Sequence, residues 1–260
     1  MKVLTHGLAV ILTAAILLAL IWMKLPGEIN AIIARRQISS LRQCVRQQLE
    51  QQKESLADKL TAFAEVTGSD REFAMRLLVE NDPSAAEVVE RAEQFIRPMG
   101  LEILEITDSL FVLISSGHFP ASAGNSIAEK ITLLESDPAF IMDNILGEEA
   151  LTLQAKTRFS IAELPFYVAG GLIVDQGFLS MLVPSSNSFV LLKWEDEIIG
   201  GEKLGKIESI SEIEDNKIIV NNRTFLADTL SLQFSGENAS PVLLVLAEEP
   251  EPVSILSLFQ

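Results

Sequence analysis

Cysteine is almost absent from this chain. Cys44 is the one cysteine among 260 residues, which excludes an internal disulfide and a cysteine-based zinc site. It leaves the redox compartment open. Histidine is nearly as scarce: His6 and His118 are the two. A metal centre of the usual His/Cys kind cannot be assembled from them, although carboxylate sites stay open. No metal and no cofactor is implied. No glycine-rich loop is placed to cradle phosphate, since Gly170-Gly171 stands alone and precedes no long helix. Ser115 and Ser116 adjoin His118, but adjacency in sequence does not give a nucleophile–base pair its geometry. Positive charge is short as well. The net charge is -16, and of 20 bases Lys2 and Lys24 precede the first acid, Glu28, leaving 18 against 36 acids. A body that acidic repels nucleic acid phosphates and anionic lipid headgroups.

What is present begins with a hydrophobic run. Gly7 to Met23 carries no charge. As a helix it spans roughly 26 Å, and about 31 Å with Val3 to His6 included. Trp22 stands where an interfacial aromatic belongs, followed by Lys24. A membrane anchor through residues 3–23 is expected. A cleaved signal peptide is the rival reading, but Ile21-Trp22-Met23 is too bulky for a cleavage site. The flanking charges lean towards a cytoplasmic body, although large domains translocate with little regard to charge.

Pro26-Gly27 is expected to break the anchor from the stalk. From Ile29 to Phe63 there is no Pro or Gly. Apolar residues at Ile38, Leu41, Val45, Leu49, Leu56, Leu60 and Phe63 recur at helical spacing. A helix of about 35 residues would span roughly 50 Å. It serves either a homodimer through this stalk or packing along its own domain; the stripe fits both. Thr67-Gly68 is expected to close it. Ser69 with Glu72 has the form of a capping box, and Asp82-Pro83 that of a second helix start.

After Gly100 the periodicity changes to that of strands. Leu101–Ile106 and Leu110–Ser115 predict two adjacent strands, followed by a loop over 117–125. Asp137-Pro138 predicts a short helix through Leu146. Further strands are predicted at 150–161, 165–174, 189–193, 206–213, 217–220, 230–234 and 241–247, with one short helix at 176–182. Gly200-Gly201 and Asn221-Asn222 have the form of turns. Helices first and antiparallel strands after make an α+β chain with one sheet, and no internal repeat is visible. The expected organisation is an anchor over 1–26, a helical stalk and lead-in helices over 27–100, an α+β domain over 101–250, and a truncated tail over 251–260.

Two segments carry a resemblance. Leu104-Glu105-Ile106-Thr107-Asp108 leads into Ile114-Ser115-Ser116-Gly117-His118-Phe119-Pro120-Ala121. Downstream, Pro165-Phe166-Tyr167-Val168-Ala169-Gly170-Gly171 is followed by Leu172, Asp175, Phe178 and Leu179. Both resemble the Cache/PAS-like extracytoplasmic sensor region of bacterial two-component sensor histidine kinases, over roughly residues 1 to 250. Leu110-Phe111 stands where the family's hairpin has Asp-Gly. The kinase part has no counterpart: there is no phosphoacceptor histidine box, no ATP-binding motif and no second apolar span. The resemblance therefore implies a sensor half without enzymatic activity. It implies a single pass of the bacterial inner membrane, an extracytoplasmic body, and a small-molecule ligand held between the sheet and its covering loops. Carried over, it points to Ser116, His118, Arg158 and Tyr167 as ligand-binding positions. For each a structural role is the competing reading. The alternative for the whole chain is a bitopic scaffold or assembly protein that binds protein partners.

Overall fold

Sixty-eight consecutive residues form the first helix, α1 (Lys2–Ser69). A computed structural model describes the backbone of residues 2–134, 137–183, 187–195, 197–213, 216–235 and 240–248, and their side chains from residue 28 onward except 212 and 213. The side chains of the expected anchor thus lie outside the described residues, as does the tail from 249. Among the described residues no helix is long and apolar enough to cross a membrane. The break expected at Pro26-Gly27 is not there, since the backbone stays helical through both. A proline removes one hydrogen bond and kinks a helix, and long helical segments on either side carry the helix past it.

The apolar stripe of α1 is buried along its full length. Ile38, Leu41, Val45, Leu49, Leu56, Leu60 and Phe63 all lie in the core. At about 1.5–3 kcal/mol for each fully buried aliphatic or phenyl side chain, this face fixes the helix to its own body. The first cap differs from expectation. Ser69 Oγ donates back to the Glu65 carbonyl at 2.8 Å, and Asp70 caps α2 (Arg71–Ala74) by accepting from Glu72 N and Phe73 N. Aspartate wins because its carboxylate reaches both free N–H groups. A π-turn follows (Met75–Val79), then α3 (Ala86–Val89) and α4 (Arg91–Ile96). Asp82 caps a turn at Ser84 rather than starting a helix.

Two sheets replace the one expected. The first comprises β1 (Ile103–Thr107), β2 (Leu113–Ser116), β3 (Ala139–Ile145), β4 (Glu148–Ile161) and β5 (Leu164–Ile173), with α5 (Ala128–Leu133) between β2 and β3. Its order is β2-β1-β5-β4-β3, antiparallel throughout. After α6 (Gln176–Met181) come β6 (Ser188–Trp194), β7 (Glu197–Gly200), β8 (Ile210–Ile213), β9 (Lys217–Val220), β10 (Arg223–Ser231) and β11 (Val242–Glu248). These form the second sheet, in the order β7-β6-β11-β10-β9-β8. Both sheets share one path. The opening hairpin takes one edge, the chain crosses to the other edge, and the last strand returns beside the first. The fold is thus a topological repeat that the sequence does not display.

Other boundaries shift too. Residues 139–145 form β3, not a helix, and pair with β4 over seven positions. Ala139, Phe140 and Ile141 are all buried, because this strand is covered on both faces, and a continuous apolar run does not separate strand from helix. The predicted strand at 206–213 is reduced to Ile210–Ile213, and that at 230–234 is replaced by Arg223–Ser231. Gly200 ends β7 rather than making a turn.

One core joins helix and sheets. Leu104, Ile106, Leu153, Ala155 and Val168 of the first sheet share it with Val190, Leu226, Leu230, Leu243 and Val245 of the second, around the α1 stripe. Phe140 bridges to Phe234, and Phe140 N donates to the Gln233 carbonyl at 3.2 Å. Arg42 of α1 pairs with Asp228 of β10 at 3.3 Å.

Candidate functional site

The faces turned away from α1 differ between the two sheets. On the second sheet that face is filled by its own apolar side chains. Phe189, Leu191, Phe225, Ala227, Leu244 and Leu246 pack beneath Leu204, Ile207 and Ile210. On the first sheet the same face is polar. Strand alternation places Glu105 and Thr107 of β1, Asp143 of β3, Thr152 and Gln154 of β4, and Ser116 of β2 together there. Glu105, Thr107, Ser116, Thr152 and Gln154 are all buried.

The space for these groups comes from β5, which is small on this side. Ala169 faces Glu105 across the ladder, and Gly171 faces Gln154. A Cβ on Gly171 would run into the Leu153 carbonyl oxygen and lie 2.5 Å from Gln154 Cγ. Its neighbour Gly170 faces the other way, where a Cβ would lie 2.7 Å from Leu60 of α1 and 2.9 Å from the Ile103 carbonyl. Two consecutive glycines thus let a polar network and a helix approach one strand from opposite sides.

α5 closes over the polar face. Its Ile131, with Leu134, packs on Ile141 and Ala169. Its Lys130 reaches down between two strands, with Nζ 2.7 Å from Glu105 Oε2 and 2.6 Å from Asp143 Oδ2. Gln154 Nε2 donates to the same Asp143 oxygen at 2.7 Å and to Thr152 Oγ1 at 2.9 Å. Lys156 donates to the Ile131 carbonyl at 2.8 Å, which answers an open carbonyl near the end of α5. Burial disfavours the Lys130 ammonium, but Glu105 and Asp143 outweigh it and hold its pKa above the ordinary lysine value.

Beside this network opens a cleft of about 990 Å³. Glu105, Lys130 and Asp143 lie at its base. His118, Phe119, Asn125, Ile127 and Leu146 of the β3–β4 turn line it as well. His118 Nδ1 is 3.4 Å from Ser116 Oγ, which also accepts from Phe119 N at 3.2 Å. His118 Nε2 is 3.7 Å from Glu105 Oε1, beyond hydrogen-bond reach. Burial pulls the His118 pKa below its ordinary value, against the opposing pull of Glu105. The imidazole is therefore neutral near pH 7.

Of the four expected positions, His118 lines the cleft, and Ser116 is buried beside it without lining it. Tyr167 and Arg158 are register partners one row further along the sheet and do not line the cleft. Tyr167 packs on Phe111 with ring centroids 5.2 Å apart, and Arg158 is exposed. Ser115, the other serine of the run, accepts from Ala92 N and donates to the Val89 carbonyl, tying β2 to α3 and α4. Sequence reasoning missed Glu105, Lys130, Asp143 and Gln154. Glu105 alone left a signal, an acid in the middle of the apolar strand Leu-Glu-Ile-Leu-Glu-Ile. Among the described residues no group of His, Cys, Asp or Glu is arranged to hold a metal ion.

No protein-family profile and no curated protein matches the chain. Solved structures do. The periplasmic domain of Vibrio cholerae LuxQ is 14% identical with a TM-score of 0.53, covering 82% of this chain and 98% of that one. The sensory domain of the Campylobacter jejuni chemoreceptor Tlp3, solved with isoleucine bound, is 11% identical with a TM-score of 0.51, covering 86% and 95%. The sensor domain of the V. cholerae histidine kinase DctB is 10% identical with a TM-score of 0.50, covering 84% and 99%. At these identities the likeness is one of fold. The chain has the fold of bacterial extracytoplasmic sensor domains, as its two motifs imply, and those structures are sensory rather than catalytic domains.

Proposed function

We propose that this chain is a membrane-anchored, extracytoplasmic input domain of two-component signalling that binds a small molecule in the cleft beside His118. The observation that carries the reading is the contrast between its two sheets. They share a topology, yet the outer face of one is packed shut by phenylalanines and leucines, while that of the other is polar and open. A cleft with a few converging polar groups on an otherwise apolar scaffold is where a small ligand is recognised. The occurrence of the fold in Tlp3, whose sensory domain was solved with isoleucine, supports a sensory role. The uncharged run from Gly7 to Met23 supports a single-pass inner-membrane anchor, with the body outside.

The test is a thermal-shift screen of a metabolite library on the full chain in detergent micelles. Hits are then repeated on Asn125→Trp, which fills the cleft from an exposed wall position. The reading expects at least one hit that raises the melting temperature of the natural chain and not of the variant. A screen without hits, or hits that ignore the tryptophan, would refute it.

A further inference from the structure

A second cavity lies where the two sheets meet. It encloses about 240 Å³ and is lined by β3, β4 and the end of β5 from the first sheet, and by β6 and β7 from the second. Leu151, Val174 and Leu192 are the buried part of its lining, and half-buried Met142, Trp194 and Ile199 line it too. The polar members, Glu149, Asp175, Gln176 and Glu197, are all exposed. The apolar side chains therefore hold the interior, and the charges stand in solvent. No described residue lines both this cavity and the cleft beside His118.

Leu151, Val174 and Leu192 also belong to the core that joins the two sheets, so the cavity is a gap in that core. Protein interiors pack as densely as organic crystals and leave few voids larger than a water molecule. Side chains around a void forfeit the dispersion contacts that a neighbour would supply. Water does not replace them, because it needs two to four polar partners and this interior is leucine and valine. An apolar cavity of about 150 Å³ already suffices for a benzene ring, so this one admits a ring with a short side arm. It is too small for a macromolecular segment. The lining holds no Lys, Arg or His, so nothing there receives an anion, and three carboxylates repel one. Asp175 is already engaged, accepting from Phe178 N at 2.8 Å as the cap of α6. An exposed carboxylate adds little for a cation, which leaves the apolar interior as the selecting feature.

We infer that this inter-sheet cavity is a further ligand site, which takes one compact, uncharged apolar molecule, a single ring with a short alkyl arm. The molecule completes the core between the sheets and lies against Trp194. The site stands apart from the cleft and does not depend on what binds there.

Trp194 supplies the readout. In a Trp22→Phe background it is the one tryptophan left. Toluene, benzoate and benzylamine are titrated into the full chain in detergent micelles. Tryptophan emission and melting temperature are followed together. Partition into detergent lowers the free toluene equally for every variant, so variants are compared at one detergent concentration. Toluene should change the Trp194 emission along a saturable curve and raise the melting temperature, and benzoate should do neither. Benzylamine should bind no more than about fivefold tighter than toluene, the reach of exposed carboxylates. Ala150→Phe from the first sheet and Ile199→Phe from the second each place a ring in the cavity, and each should weaken toluene at least about tenfold. One of the two that folds is enough to decide. The inference is overturned by toluene without a saturable effect, or by toluene binding that the added rings leave intact. Benzoate binding as tight as that of toluene, or a larger preference for benzylamine, overturns it as well.

Discussion

At the scale of single residues, the site is decided by groups that sequence patterns leave obscure. His118 of the cleft lining stands out in the sequence because it sits in a run with a recognisable order, and Ser116 of the same run lies buried beside it. Lys130 and Asp143 do not stand out, because one lies in a segment without strong periodicity and the other in a strand with the start signal of a helix. Their roles arise when α5 folds over β3, and no local spacing encodes that. His118 gives the clearest residue-level prediction. Burial lowers its pKa in the folded chain, so the unfolded chain takes up a proton first as pH falls. Stability from the neutral imidazole is therefore present above about pH 6.5, the unfolded value, and is lost as pH falls through the folded value. Glu105, Lys130 and Asp143 are the charged groups that act on it. Melting curves between pH 7.5 and 5 should show a shallower loss of stability in His118→Asn than in the natural chain. An equal or steeper loss would mean that the histidine does not carry it.

At the scale of elements, the strongest periodicities match the fold. The α1 stripe, β4, β5, α6 and β11 all stand close to where their apolar patterns place them. The failures share a cause. β3 is covered on both faces, so its run Ala-Phe-Ile-Met lacks alternation and the Asp-Pro before it dominates. The Leu146-Gly147 turn, with φ of 55° and 95°, is the hairpin signal that could correct it. Gly170-Gly171 has the composition of a bulge or turn, whereas it is regular ladder whose lack of side chains makes room. Gly171→Ala should accordingly destabilise the fold by about 3 kcal/mol or more, since backbone and not a flexible side chain opposes the new methyl. Chemical denaturation measures this; a loss below about 1 kcal/mol would show that the ladder can yield.

At the scale of the whole molecule, the sequence indicates one α+β domain with one sheet, and the fold contains two sheets. α1 runs past both sheets, and a single apolar core includes residues from each. Calorimetry of the full chain in micelles should therefore give one unfolding transition, with calorimetric and van't Hoff enthalpies in agreement. Two resolved transitions would show that the sheets are separately stable. The second sheet escapes sequence reading because topology leaves no mark when its two copies fill with different side chains. The paired glycines acquire a larger meaning in this setting. A molecule in the cleft never touches α1, because the first sheet stands between them as a partition one backbone thick. At Gly170-Gly171 that partition is at its barest. One glycine rests against Leu60 of α1, the other against Gln154 of the polar network, and neither has a side chain to cushion a push. A displacement of that strand from the side of Gln154 would therefore meet Leu60 with only backbone between them.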